Sequence, residues 1–209
     1  MLSLAACGSD SPAGPGDAPV PPRETLMLPL RIHVLSSSVT PFDATFTDGE
    51  VQSLMARANE VWAQADIRFE VESIVHEGVA NEAELMAVAA GSPTPPTLIN
   101  NALPRGQLLS GRWDVFLMHD LSVVAGAPGV FFANLPAVVS SEVDPAGLNH
   151  PGRILAHELG HSLTLPHVPC TPEGNLMSPG CDSADRTRLS DDQIAAARAQ
   201  ASTGHPFGG

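Results

Sequence analysis

The sequence predicts an α+β domain, and three observations carry that prediction. Short apolar or alternating segments suited to strands recur between residues 25 and 143. Amphipathic stripes with helical spacing interrupt and follow them. Two histidines, His157 and His161, stand four apart in one of those helical stretches, which places them one turn apart on a shared face.

Thr25–Ser36 reads as the first strand, with Leu30, Ile32 and Val34 on one face and Arg31, His33 and Leu35 on the other. His33 is expected to be a surface or half-buried residue of that strand. Asp48 is the expected N-cap of a helix that runs to Ala65. Its core stripe is Val51, Leu54, Met55, Ala58, Val61, Trp62 and Ala65, which makes Trp62 a core residue. Ile67–Ile74 alternates as a half-exposed strand, and Asn81–Ala90 suits a short helix. Gly91–Pro104 is proline-rich and reads as a surface excursion. Trp113–His119 is a buried strand ending in a structural histidine, and 126–128 a loop. Gly129–Ala133 is a short apolar strand, and Ala137–Val143 another that closes in an Asp144-Pro145 turn. Pro151 opens the histidine-bearing helix, since a first turn has no use for the missing N–H. Ile154, Leu155, Leu159 and Leu163 anchor it, and Pro166 cannot continue it. Cys170–Cys181 is loop, and Ser190 caps a last helix, Asp191–Ala201, with Ile194, Ala197 and Arg198 on its inner side.

Composition narrows the function. A net charge of −13 over 209 residues argues against nucleic acid or an anionic membrane as an electrostatic partner. All ten basic residues are arginine and tyrosine is absent, so neither a lysine amine nor a phenol is available for catalysis. No run of 18 apolar residues suggests a membrane span. The start, Leu4-Ala5-Ala6-Cys7, resembles a bacterial lipobox with Cys7 as the lipidated residue, which makes 1–7 the remnant of a truncated export signal and 8–24 a disordered tether rich in Pro, Gly, Ser and Asp. On that reading the protein is exported to the cell envelope or secreted, and touches a membrane only through lipid on Cys7. Cys170 and Cys181 are then expected to pair in an oxidising compartment.

The chemistry concentrates in Ala156-His157-Glu158-Leu159-Gly160-His161-Ser162-Leu163-Thr164-Leu165-Pro166-His167. His157 and His161 can grip one metal ion, and His167 follows the helix break as third ligand, with Glu173, Asp182 and Asp185 as alternatives to it. Three neutral imidazoles and an open fourth position describe a catalytic zinc site, beside which Glu158 is free to move protons. The alternative is a surface lipoprotein that binds zinc or a partner without catalysis. Calcium sites are not legible in the sequence.

These residues resemble the metzincin metalloproteases, whose motif is H-E-x-x-H-x-x-G-x-x-H followed by a methionine-containing turn. His157, Glu158, His161 and His167 match the motif, Asn175-Leu176-Met177 is similar to the Met-turn, and Leu189–Ile194 resembles the start of the family's last helix. The short step from His167 to Met177 is similar to the matrixins and related bacterial secreted enzymes. The resemblance implies a twisted mixed sheet with packed helices, an N-terminal lobe over 25–165 and a small C-terminal subdomain over 166–209. It further implies a monomeric zinc endopeptidase acting on proteins or peptides, with Met177 as a hydrophobic floor and Gly129–Ala133 as an edge strand that pairs with substrate. The departure is Thr164, where the family has glycine. A threonine at positive φ costs about 1–3 kcal/mol, unless Leu165-Pro166 take the bend instead.

Overall fold

A computed structural model describes residues 23–108, 111–122, 127–143, 150–170, 174–179 and 186–208. The expected signal remnant, all but the end of the tether, and the Asp144-Pro145 turn lie outside them. The described chain forms β1 (Leu26–Ser36), α1 (Asp48–Trp62), β2 (Ile67–Gly78), α2 (Glu82–Ala89), α3 (Pro95–Ala102), β3 (Trp113–Met118), β4 (Gly129–Phe132), β5 (Ala137–Ser141), α4 (Pro151–Ser162) and α5 (Asp191–Ala201). Among the described residues no helix is long and apolar enough to cross a membrane.

The five strands make one sheet in the order β2-β1-β3-β5-β4. Four run parallel, and β4 alone runs antiparallel, against β5. The expected α+β domain with a mixed sheet is therefore observed. The central strands β3 and β5 are buried along their whole length, as parallel strands covered on both faces must be. One face carries Leu30, Ile32, Val34, Val115 and Leu117 against α1, α4 and α5. The opposite face carries Leu35, Phe116, Met118 and Val139 against α2 and α3.

The helix α1 begins one residue before expectation. Thr47, not Asp48, is its N-cap, and Thr47 and Glu50 close a reciprocal capping box. The expected stripe is buried throughout, and the Trp62 indole N–H donates to the Ala156 carbonyl of α4 at 3.2 Å. β2 runs on to Gly78, past the predicted end. The expected surface excursion over Gly91–Pro104 contains α3 instead. Two prolines occupy its first turn, where they cost no hydrogen bond, and Ile99, Ala102 and Leu103 reach the second core. In α5 the Ser190 cap is present as a capping box with Gln193. Its buried residues are Gln193, Ala197 and Ala201, while Arg198 reaches across to the carbonyls of Ala65, Asp66 and Glu24.

His33 is completely buried, against the expectation of a surface or half-buried place. The neighbouring strands supply what its polar ring needs there. Nδ1 meets Glu77 Oε1 at 2.5 Å, Nε2 meets Asp114 Oδ1 at 3.2 Å, and the ring stacks on Phe116 at 4.5 Å. Arg31 completes the set through Nε and Nη2 on the same Asp114 oxygen, at 2.9 and 2.7 Å.

Candidate metal centre

Helix α4 carries the site. His150 is its N-cap, accepting the Gly152 N–H on Nδ1 at 3.1 Å, and Pro151 takes the first position. Ten of its twelve residues are buried, including His157 and Glu158. Trp113 from β3 fastens the far end, donating its indole N–H to Ser162 Oγ at 2.9 Å.

The helix stops at a turn that decides where the chain goes next. The Thr164 N–H donates to the His161 carbonyl at 3.0 Å and the Leu165 N–H to the Gly160 carbonyl at 2.9 Å. These are the paired bonds of a Schellman motif, which places its first residue beyond the helix in the left-handed region. That residue is Thr164, at φ 71°. The bend is thus made at the position where the metzincin motif has glycine, and not by Leu165-Pro166. The chain reverses, and Pro166 leads His167 back over the helix end.

The result is convergence of three imidazoles. His167 Nε2 lies 3.1 Å from His157 Nε2 and 3.0 Å from His161 Nε2. The other ring nitrogens are already committed. His157 Nδ1 donates to the Leu176 carbonyl at 2.7 Å, and His161 Nδ1 donates to the Leu165 carbonyl at 2.7 Å. With Nδ1 as the donor, each neutral ring of that pair turns an Nε2 lone pair toward His167. A cation placed among the three nitrogens would draw these lone pairs to itself. A tetrahedral zinc ion with bonds of about 2.0–2.1 Å sets its nitrogen ligands about 3.3 Å apart, a few tenths from the spacing observed. The three histidines therefore fit zinc, and among the described residues they are the one group of side chains arranged to hold a metal.

Burial tunes these groups. It lowers the pKa of His157 to about 3, partly opposed by the Leu176 carbonyl, and His161 is lowered by the same cause. Burial thus favours the neutral, ligand-competent form of both rings. Burial pushes the Glu158 carboxyl up to about 8, with Arg153 pulling the other way.

Beneath the helix, a tight turn at 175–178 presents the Leu176 carbonyl and buries Met177. The Ser178 N–H closes it on the Asn175 carbonyl at 3.2 Å, and the Asn175 side chain caps the Met177 N–H at 2.8 Å. Met177 is fully buried, so close to the helix that a Cβ on Gly160 would stand 2.5 Å from its sulfur. The Asn175 and Gln193 amides bond to each other at 2.7 and 3.2 Å, joining this turn to the cap of α5. Two buried arginines complete the support. Arg186 Nη1 donates to the Ser178 carbonyl at 3.0 Å, and Arg153 Nε donates to the Arg186 carbonyl at 3.0 Å. Sequence reasoning named neither arginine, nor the Asn175–Gln193 pair, because the contacts they make span 8 to 33 residues of chain.

Strand β4 is the sheet edge beside α4. The Ser141 N–H donates to the Pro128 carbonyl at 2.8 Å, which fixes the hydrogen-bonding alternation along β4 and β5. Val130 and Phe132 then face β5 with their main chain, while Gly129 and Phe131 turn theirs to the open edge. His119 does not join the triad; its Nδ1 pairs with Glu142 Oε2 at 2.7 Å, as expected of a structural residue. Cys7, Glu173, Cys181, Asp182 and Asp185 lie outside the described residues.

No family model matches this chain, and no curated protein matches it. Solved structures do match. One is a chaperone–substrate complex, at 12% identity and TM-score 0.52, covering 87% of this chain and 35% of that one. Archaemetzincin from Methanopyrus kandleri matches at 16% identity and TM-score 0.53, covering 87% of this chain and 98% of that one. Metalloproteinase-II from Bacteroides fragilis matches at 15% identity and TM-score 0.51, covering 86% of this chain and 55% of that one. The chain thus spans about a third of the first of these, over half of the third and nearly all of archaemetzincin. The likeness is one of fold, and the fold is metzincin-like.

Proposed function

We propose that the protein is a zinc-dependent metalloendopeptidase that hydrolyses peptide bonds in protein substrates. One observation carries the reading: three imidazole nitrogens converge at the end of α4, with a buried carboxyl on the residue beside the first of them. The metzincin-like fold supports it, as do the peptidases among its solved neighbours.

His157, His161 and His167 would hold the ion. When bound, zinc polarises a carbonyl and makes water acidic enough to attack near neutral pH. Glu158 is the general base: in its ionised form it takes the water proton and passes it to the leaving amine. The outward N–H and C=O groups of Gly129 and Phe131 suit an extended peptide added as a further strand, which delivers the scissile bond next to Glu158. Met177 is the floor under the ligands and the turn around it the Met-turn. No phenol assists, since the chain has no tyrosine.

The finer assignments follow the same reading. Cys170 is disulfide-bonded, and we assign Cys181 as its partner. Cys7 would carry lipid and residues 8–24 would tether a monomeric catalytic domain, comprising 25–165 and 166–209, to the cell envelope.

The test is Glu158→Ala, measured for zinc by elemental analysis and for peptide release from an unfolded protein substrate. Zinc stays near one per chain and turnover falls by about 100-fold or more, the contribution of a general base. Turnover at the parental rate in the zinc-loaded variant would overturn the mechanism.

A further inference from the structure

We infer that Gly129 is a positioning residue for Glu158: its missing side chain is the slot that fixes where the carboxyl sits. The inference rests on the peptidase reading above and adds to it a residue that acts through the placement of Glu158. A Cβ built on Gly129 would stand 2.6 Å from Glu158 Cγ, 2.8 Å from Oε1 and 3.0 Å from Cδ. Such distances are well inside van der Waals contact, so the backbone of β4 and the Glu158 side chain are packed directly on each other.

Two facts make the slot specific. Gly129 is a strand residue, paired with Ser140 of β5, and is not among the residues with positive φ. Its backbone is therefore one that alanine adopts freely, and the three atoms nearest to a side chain there all belong to Glu158. Glu158 has little room to retreat, since it is only 7% exposed on a helix buried along most of its length. A methyl group at 129 forces the carboxyl into another rotamer. The same glycine also presents its main chain at the open sheet edge. Gly129 thus sets both the carboxyl and the strand against which the substrate would lie.

The experiment is a cycle of four proteins: the parent, Gly129→Ala, Glu158→Ala and the double variant. Each is measured for zinc content, for kcat and KM on an unfolded protein substrate, and for thermal midpoint in the metal-free form. In the parent background Gly129→Ala keeps its zinc, loses about 100-fold in kcat, changes KM less than about threefold, and melts about 5 °C lower. In the Glu158→Ala background, where the opposing atoms are gone, the same change leaves the midpoint within about 1 °C. Equal midpoint shifts in both backgrounds, or an unchanged kcat, would overturn the inference. If the zinc-loaded parent itself releases no peptide, the peptidase reading fails, and the midpoint cycle still decides whether Gly129 fixes Glu158.

Discussion

Replacing Thr164 by glycine should make the protein more stable, against the usual effect of glycine. Thr164 sits at φ 71°, in a region where an L side chain crowds its own carbonyl, at about 1–2 kcal/mol and more for a β-branched residue. Glycine removes that cost, and raises the entropy of the unfolded chain by an amount worth about 0.5–1 kcal/mol in the opposite direction. Little packing is lost, because Thr164 is exposed and, among the described residues, its hydroxyl bonds only to the adjacent Leu163 carbonyl, at 2.5 Å. The balance is a gain of about 1 kcal/mol, or about 2–4 °C in a domain of this size. Urea unfolding of the parent, Thr164→Gly and Thr164→Ala measures it. The alanine variant should fall between the other two, since it drops the branch and keeps the Cβ. Zinc content should be equal in all three, because the two bonds of the turn come from main chain. A Thr164→Gly protein less stable than the parent by 1 kcal/mol or more would refute the reasoning, and would mean that the threonine side chain contributes more than its backbone costs.

Two further outcomes follow from the site. His167→Ala should weaken zinc binding by more than about 100-fold, beyond the cost of losing an outer-shell partner, whereas His119→Ala should leave it unchanged; competition with a chromophoric chelator reads both. In the metal-free protein, Glu158 should make stability fall as pH rises. Its carboxyl ionises near 4.5 when unfolded and near 8 when folded, so the two states match below 4.5 and the unfolded state alone releases its proton between those values. Glu158→Gln removes that loss, roughly 4 kcal/mol by pH 8. Urea titrations of both proteins with chelator present, from pH 4 to 9, should show the gap opening with pH; a constant gap would show that the carboxyl is not held protonated. The opposite dependence from His157, whose stability contribution is lost as pH falls from 6.5 toward about 3, is common to both proteins and cancels.

What was legible in the sequence was what adjacent residues decide. The four-residue step from His157 to His161, the Pro151 start, the Ser190 cap and the stripe through Trp62 all depend on helical periodicity, and all appear where expected. The capping box of Thr47 and Glu50 is equally local, and the T-x-x-E spacing was there to be read. What was not legible depends on partners far along the chain. His33 looked half-exposed because nothing near it accounts for a buried imidazole; its partners Glu77 and Asp114 lie 44 and 81 residues away. The prolines at 95 and 96 looked like loop, yet a helix's first turn accommodates them once a second core exists for Ile99 to enter. Gly129 carries no signal in its own strand, because the side chain that requires it belongs to α4.

The orientation of the imidazoles points to a division of labour between side chain and main chain. The carbonyls that hold His157 and His161 by Nδ1 belong to Leu176 and Leu165, each in a turn, and neither carbonyl depends on which side chain its residue bears. Both turns are in turn fixed by other main-chain bonds, Leu165 N–H to the Gly160 carbonyl and Leu176 N–H to the Arg188 carbonyl. The ring tautomers are therefore set by the path of the backbone. That explains how a threonine can stand at the bend without dispersing the triad: the geometry needs the left-handed conformation at 164, and the two Schellman bonds impose it on whatever residue is there, at a cost in stability and not in ligand placement.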